Sequence, residues 1–194
     1  MSNGFSPRIF SDRYYRALGK FIAEFAEIEG LMLSALWYFT KVSTPVGKAV
    51  FSGVRAEDAS GKIKRIADAE DWPQSRKDEW KIISDHLTIL RALRNDLVHY
   101  GVYWDSVDTW YSTNKRIAHL PERVTIRQIT PTILRNATND LRKLSVLIFV
   151  FLYGDQMAVS ARKKLRPVLK RAWLYTPPAQ ETSQLSGRRA NQKR

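Results

Sequence analysis

Arg94, Asn95 and His99 are the residues whose types and spacing best suit chemistry. A guanidinium keeps its charge at every working pH and grips phosphate oxygens with a fork of donors. An imidazole titrates near neutrality, so it can take up or release a proton. Side by side they would hold a phosphodiester and move its protons. The spacing sets a condition. Residues five apart on a regular helix differ by roughly 140° of rotation, so Arg94 and His99 of one chain do not aim at a common point. Asn95 and His99 are four apart and share a face.

The same residues admit plainer roles. Trp80, Ile83, Leu87, Leu90, Arg94 and Leu97 follow helical spacing, which places an arginine on a stripe of large apolar side chains. Burying that charge without a partner is costly, so an anion should meet it: Glu24, Glu27 or Glu29 of the first helix, or a ligand. His99, in the last turn of its helix, could bond the unpaired carbonyls there. Other candidates are weaker. Asp85 and His86 are adjacent and point apart. His119 precedes Leu120-Pro121 in a loop. Trp104, Trp110 and Tyr111 could stack on bases, but large aromatics in a hairpin more often pack on a core or a partner. The three histidines are not at metal-ligand spacing, and without cysteine there is neither a thiolate site nor a cysteine nucleophile. No metal or cofactor is expected.

Helices must position these residues. The first should run from Ser11, an N-cap type, to about Val42, with Tyr14, Leu18, Phe21, Phe25, Ile28, Met32, Ala35 and Phe39 inward. Thr44-Pro45 opens a short helix to about Gly53. Another covers Ala56 to Glu70. Trp72-Pro73 breaks the chain, and the motif helix follows from Gln74 to Tyr100, with Gly101 in the position that ends helices. Aromatic and β-branched residues then take over, and Arg123–Ile129 alternates as a strand does. A small β-hairpin insertion over about residues 102–129 is expected. Thr130-Pro131 starts the last core helix, to about Gly154, with Ile133, Leu134, Ala137, Leu141, Leu144, Leu147, Ile148 and Phe151 inward. The whole reads as an all-α chain in the main, an up-and-down bundle of four to five helices with the hairpin inserted before the last one. Residues 1–156 form this domain. A basic helix over 157–175, interrupted near Pro167, and a disordered basic tail over 176–194 complete the chain.

A chain of 194 residues suits one domain with extensions. The charge of +13 is unevenly spread. From Met157 onward there are ten basic residues and one acidic residue, so most of the excess lies in the C-terminal fifth. Such a segment attracts phosphates in a salt-dependent way, or simply keeps the protein soluble. The longest apolar run, Val146 to Tyr153, is far short of a membrane span. Pro7 and Arg8 interrupt the start where a signal peptide needs an apolar stretch. A cytoplasmic location without membrane contact is expected.

Leu93-Arg94-Asn95-Asp96-Leu97-Val98-His99-Tyr100-Gly101 resembles the signature of the HEPN superfamily: an arginine, a polar residue, three more residues and a histidine near a helix end. The resemblance spans about Ser11 to Tyr153 in the order of elements and about nine residues in motif. It implies a four-helix bundle that dimerises through the motif helices, so that Arg94 of one chain faces His99 of the other. It further implies a metal-independent endoribonuclease. His99 would move a proton at the ribose 2′-hydroxyl or the leaving 5′-oxygen. Arg94 would stabilise charge on the phosphate, Asn95 would orient His99 or bind the phosphate, and a 2′,3′-cyclic phosphate would remain. Many such proteins act in toxin–antitoxin, abortive-infection and CRISPR systems, which implies RNA as substrate, a place in phage defence or a toxin system, and an inhibitory antitoxin-like partner. One subgroup carries a modifiable tyrosine two residues after the histidine; here that position is Gly101, so that regulation is not expected. The alternative is a catalytically inactive module of the same fold that dimerises, regulates or binds nucleic acid.

Overall fold

Ser11 starts the first long helix as its residue type predicts. Its Oγ accepts a hydrogen bond from the Tyr14 N–H at 3.3 Å, and Asp12 lies in the positively polarised first turn. The computed structural model describes residues 11–100, 102–106, 109–120 and 124–177. Helix α1 spans Asp12–Thr40 and buries Tyr14, Ala17, Phe21, Phe25, Ile28, Met32, Ala35, Leu36 and Phe39, a stripe at intervals of three and four residues. Lys41, in the left-handed conformation, closes it. The short helix α2 (Thr44–Phe51) presses Gly47 onto the Trp37 ring. A Cβ at Gly47 would stand 3.0 Å from that ring, so any larger residue there would push the indole aside by a few tenths of an ångström.

Helices α3 (Ala56–Ala69), α4 (Gln74–His99) and α5 (Pro131–Tyr153) complete the core. Contacts fix their directions. Ser60 and Ser84 hydroxyls meet at 2.7 Å and Arg91 pairs with Glu57, so α3 and α4 run antiparallel. Trp80 packs on Phe151 and, further along α4, His86 lies near Asp140 and Lys143, so α4 and α5 are antiparallel. Arg142 reaches Glu24 and Tyr153 reaches Tyr38, so α1 and α5 are parallel. With α2 as a short return, direction alternates along the chain, giving an up-and-down bundle of five helices.

The expected hairpin is present, and a third strand extends it. Strands β1 (Val102–Ser106), β2 (Thr109–Thr113) and β3 (Ile126–Ile129) form an antiparallel meander in chain order. Val102 pairs with Ser112 and Trp110 with Ile129. Val102, Trp110, Ser112 and Ile129 are buried, and the Trp110 ring lies 4.9 Å from that of Tyr14. The sheet therefore closes the end of the bundle where α1 begins and α4 ends, and Trp110 packs rather than offering a stacking platform. Gly101 and the side chain of Trp104 lie outside the described residues. Thr130 then caps α5, its Oγ1 accepting from the Ile133 N–H at 3.1 Å, with Pro131 in the first turn.

Helix α6 (Val159–Lys170) follows a short 3-10 turn and contains Pro167 without interruption. It lies on the surface, where water can solvate the carbonyl that the proline leaves unpaired. The helix does not reach residue 175. Residues 171–177 are extended and return along α4 and α5 as a strap. Residues 178–194, most of the expected tail, lie outside the described residues. No helix among the described residues is long and apolar enough to cross a membrane.

Candidate functional site

The C-terminal end of α4 carries all three sequence-selected residues, and it points them in different directions. The core position in this turn belongs to Leu93, which has no exposure, between Leu90 and Leu97. Arg94 is therefore not on the apolar stripe itself. It sits at the stripe's edge, half-buried, with its guanidinium carbon 5.8 Å from the centre of the Phe25 ring. A leucine fills a dry core at far less cost than a charge, and the helix rotation reflects that preference. Arg94 Nη1 donates to Asn95 Oδ1 at 3.2 Å. None of the ion pairs among the described residues involves Arg94. Glu24, one of its three candidate partners, is engaged by Arg142 on α5. Arg91, one turn earlier, has its own carboxylate in Glu57. Arg94 is thus a half-buried cation that none of the ion pairs among the described residues neutralises.

His99 is exposed in the last turn of α4, next to Val98, which is 50% exposed. Helix α4 is continuous from Gln74 to His99. The roughly 140° between positions 94 and 99 therefore holds, and one subunit does not bring Arg94 and His99 to one point. Asn95 is half-buried and bridges the two directions, bonded to Arg94 and on the face of His99.

Asp96, inside the motif but not singled out from sequence, is the residue the fold uses most. Its carboxylate pairs with Arg127 Nε of β3 at 2.9 Å, and both side chains are largely buried, 14% and 17% exposed. Burial raises the Asp96 carboxyl above its ordinary range, and the Arg127 charge offsets part of that rise. Arg127 Nη1 also donates to the Tyr175 hydroxyl at 3.0 Å. The Asp96 carbonyl accepts from Ser112 Oγ at 2.9 Å and from the Tyr100 N–H at 3.2 Å. Four elements, α4, β2, β3 and the strap, thereby meet at the third residue of the motif.

The strap is fastened by charged groups that α5 buries. Asp140 is 1% exposed. Its Oδ2 accepts from the Tyr175 N–H at 2.7 Å and the Leu174 N–H at 2.9 Å. Lys143 donates to the Arg171 carbonyl and lies 4.3 Å from the centre of the Trp173 ring, and burial lowers its pKa. Arg171 donates to the Asn139 carbonyl. His86 stacks on Trp173 at 3.4 Å between ring centres and 18° between planes, and burial lowers its pKa too. Asp85 instead pairs with Lys81 on the exposed face, so the two neighbours form no dyad. His119 is exposed. One sequence signal pointed to the strap: Asp140 and Lys143 fall three apart on the buried side of an otherwise apolar helix.

Among the described residues no group of three His, Asp or Glu side chains is placed to hold a metal ion. No family model, curated protein or solved structure matches the chain.

Proposed function

We propose that the chain is a metal-independent endoribonuclease of the HEPN type that works as a homodimer through the C-terminal halves of α4. The observation that carries this reading is Arg94: a half-buried guanidinium with no carboxylate partner among the described residues, five positions before an exposed histidine. A bound phosphodiester would supply the missing anion. Two-fold pairing of the α4 ends would set Arg94 of one chain against His99 of the other, because an isologous contact repeats each residue on both sides. In that cleft His99 takes the proton of the ribose 2′-hydroxyl, or gives one to the departing 5′-oxygen. The O2′–P bond forms, the P–O5′ bond breaks, and a 2′,3′-cyclic phosphate remains. Arg94 stabilises the charge that builds on the phosphoryl oxygens. Asn95 holds Arg94 in place and adds a polar contact.

The test is RNA cleavage by the wild-type chain and by Arg94→Ala and His99→Ala, in EDTA. Each substitution should lower the rate by about a hundredfold or more, with the helical circular dichroism unchanged. Wild-type cleavage should continue in chelator. Cleavage that survives both substitutions overturns the assignment. A wild-type chain that cuts no RNA in any buffer leaves a binding or regulatory module of the same fold.

A further inference from the structure

We propose a second RNA-contacting element, a cationic groove between the first turns of α1 and α5 that takes the phosphodiester backbone; it rests on the ribonuclease reading above. A cavity of about 310 Å³ is lined there by Arg13, Arg16, Ala17, Lys20, Pro131 and Arg135. Four of its six residues are cationic and none is acidic. None of the four takes part in an ion pair among the described residues. Among the described residues Arg135 donates to the neighbouring Thr132 hydroxyl, at 3.0 Å. Four like charges around one depression repel each other, so folding alone gives no reason to gather them; a polyanion does.

The geometry favours a nucleic-acid strand. Arg13, Arg16 and Lys20 stand at i, i+3 and i+7 and form a row of about 10 Å along α1. A stacked strand advances about 3.4 Å per phosphate, so the row matches about three successive phosphates. The four exposed cations rim a depression floored by buried Ala17 and Pro131 between two helices, which suits a chain laid along a groove better than a flat bilayer. It also lies at the motif end of the bundle: Phe25, which carries the Arg94 guanidinium, follows Lys20 by five residues, about 7.5 Å along the axis. The contact is to the backbone and is blind to base identity.

The experiment is fluorescence anisotropy of a labelled single-stranded RNA of mixed sequence against the full chain, from 50 to 300 mM salt. The groove variant carries R13Q, R16Q, K20Q and R135Q. A charge-matched control carries R162Q, K163Q, K164Q and R166Q on α6. The groove variant should bind at least about tenfold more weakly, and its salt slope should fall by about 2, at about 0.7 for each phosphate no longer neutralised. Equal weakening in the two variants would mean that net charge alone is read, and would overturn the proposal. So would unchanged binding in the groove variant, with cleavage by the wild type still leaving the ribonuclease reading intact. Displacement of RNA by a few millimolar inorganic phosphate at constant ionic strength would assign the groove to free phosphate instead. Binding to vesicles rich in phosphatidylserine, abolished in the groove variant while RNA binding stays, would assign it to membranes. A wild-type chain that neither binds nor cuts RNA removes both proposals together.

Discussion

Replacing Asp140 with alanine should free the strap, residues 171–177, before it loosens the bundle. The carboxylate is 1% exposed and accepts from two backbone N–H groups at 2.7 to 3.0 Å. Hydrogen bonds to a charged acceptor contribute about 1.5–3 kcal/mol each. The substitution also leaves Lys143 against the Trp173 ring with its nearest counter-charge gone. Removing one partner from such a buried set costs about 3–5 kcal/mol, which for a domain of this size lowers Tm by about 10 °C. Asp140→Asn keeps one carbonyl acceptor and loses the charge, so it should fall about halfway. Two measurements are needed. Thermal unfolding followed at 222 nm reports the whole bundle. Hydrogen exchange at the Leu174 and Tyr175 amides reports the strap, and those two amides should lose nearly all protection in Asp140→Ala while the amides of α1 lose only what the fall in global stability takes. A Tm shift under about 3 °C with both amides still protected would show that the buried carboxylate does not hold the strap.

Three further outcomes follow from the same geometry. Mixing Arg94→Ala with His99→Ala chains should restore about a quarter of wild-type cleavage, because half the dimers are mixed and each mixed dimer has one intact Arg94–His99 pairing; no recovery would mean that the pair is not shared between subunits. Burial favours neutral His86, with Asp140, Lys143 and Asp85 as the charged groups around it, so its folded pKa lies below the unfolded value near 6.5. As pH falls through 6.5 the unfolded chain gains the proton first and stability drops until the folded value is passed; His86→Phe keeps the stack on Trp173 and should lose less Tm than wild type between pH 7.5 and 5.0, and equal losses would count against this account. Leu93→Ala should cost about 2–5 kcal/mol in urea unfolding, whereas Arg94→Ala, which gives up one ring contact and one hydrogen bond at a half-exposed position, should cost about 1 kcal/mol; a larger loss at Arg94 would make it a structural residue.

The helices were legible because each has a strong local cause. Ser11 and Thr130 are capping residues and do cap, and the three-and-four spacing from Tyr14 to Phe39 matches the buried stripe except that Ala17 and Leu36 are also buried while Leu18 is only partly so. The motif turn was legible as a place and not as an orientation. Leu93 and Arg94 are neighbours, and a shift of one position along the helix is 100° of rotation, which periodicity alone does not resolve when Leu90 and Leu97 flank both. The strap was not read from the sequence, where its one trace is the pair of charged residues Asp140 and Lys143 on the buried side of α5. Its cause lies in Asp140, Lys143, Arg127 and His86, residues from three separate elements whose side chains meet a segment with no periodicity of its own. Pro167 misled for a related reason: the rule that proline interrupts a helix assumes that the freed carbonyl is costly, and at the surface it is not.

Asp96 connects the part of the site that was legible with the part that was not. Its carboxylate is held by Arg127, its carbonyl is held by Ser112 and the Tyr100 N–H, and Arg127 is in turn held by Tyr175. These bonds fix the rotation of the last turn of α4 about its axis. With Asp96 anchored inward, Arg94 must lie to one side, on Phe25, and His99 must face solvent. A rotation that brought Arg94 and His99 of one chain closer to a shared ligand would have to break a buried ion pair, a cost of about 3–5 kcal/mol. The fold therefore resists assembling the pair within one subunit. It leaves Arg94 and His99 apart on the end of α4, and under the proposed ribonuclease reading a second copy of that end would complete the site without disturbing Asp96.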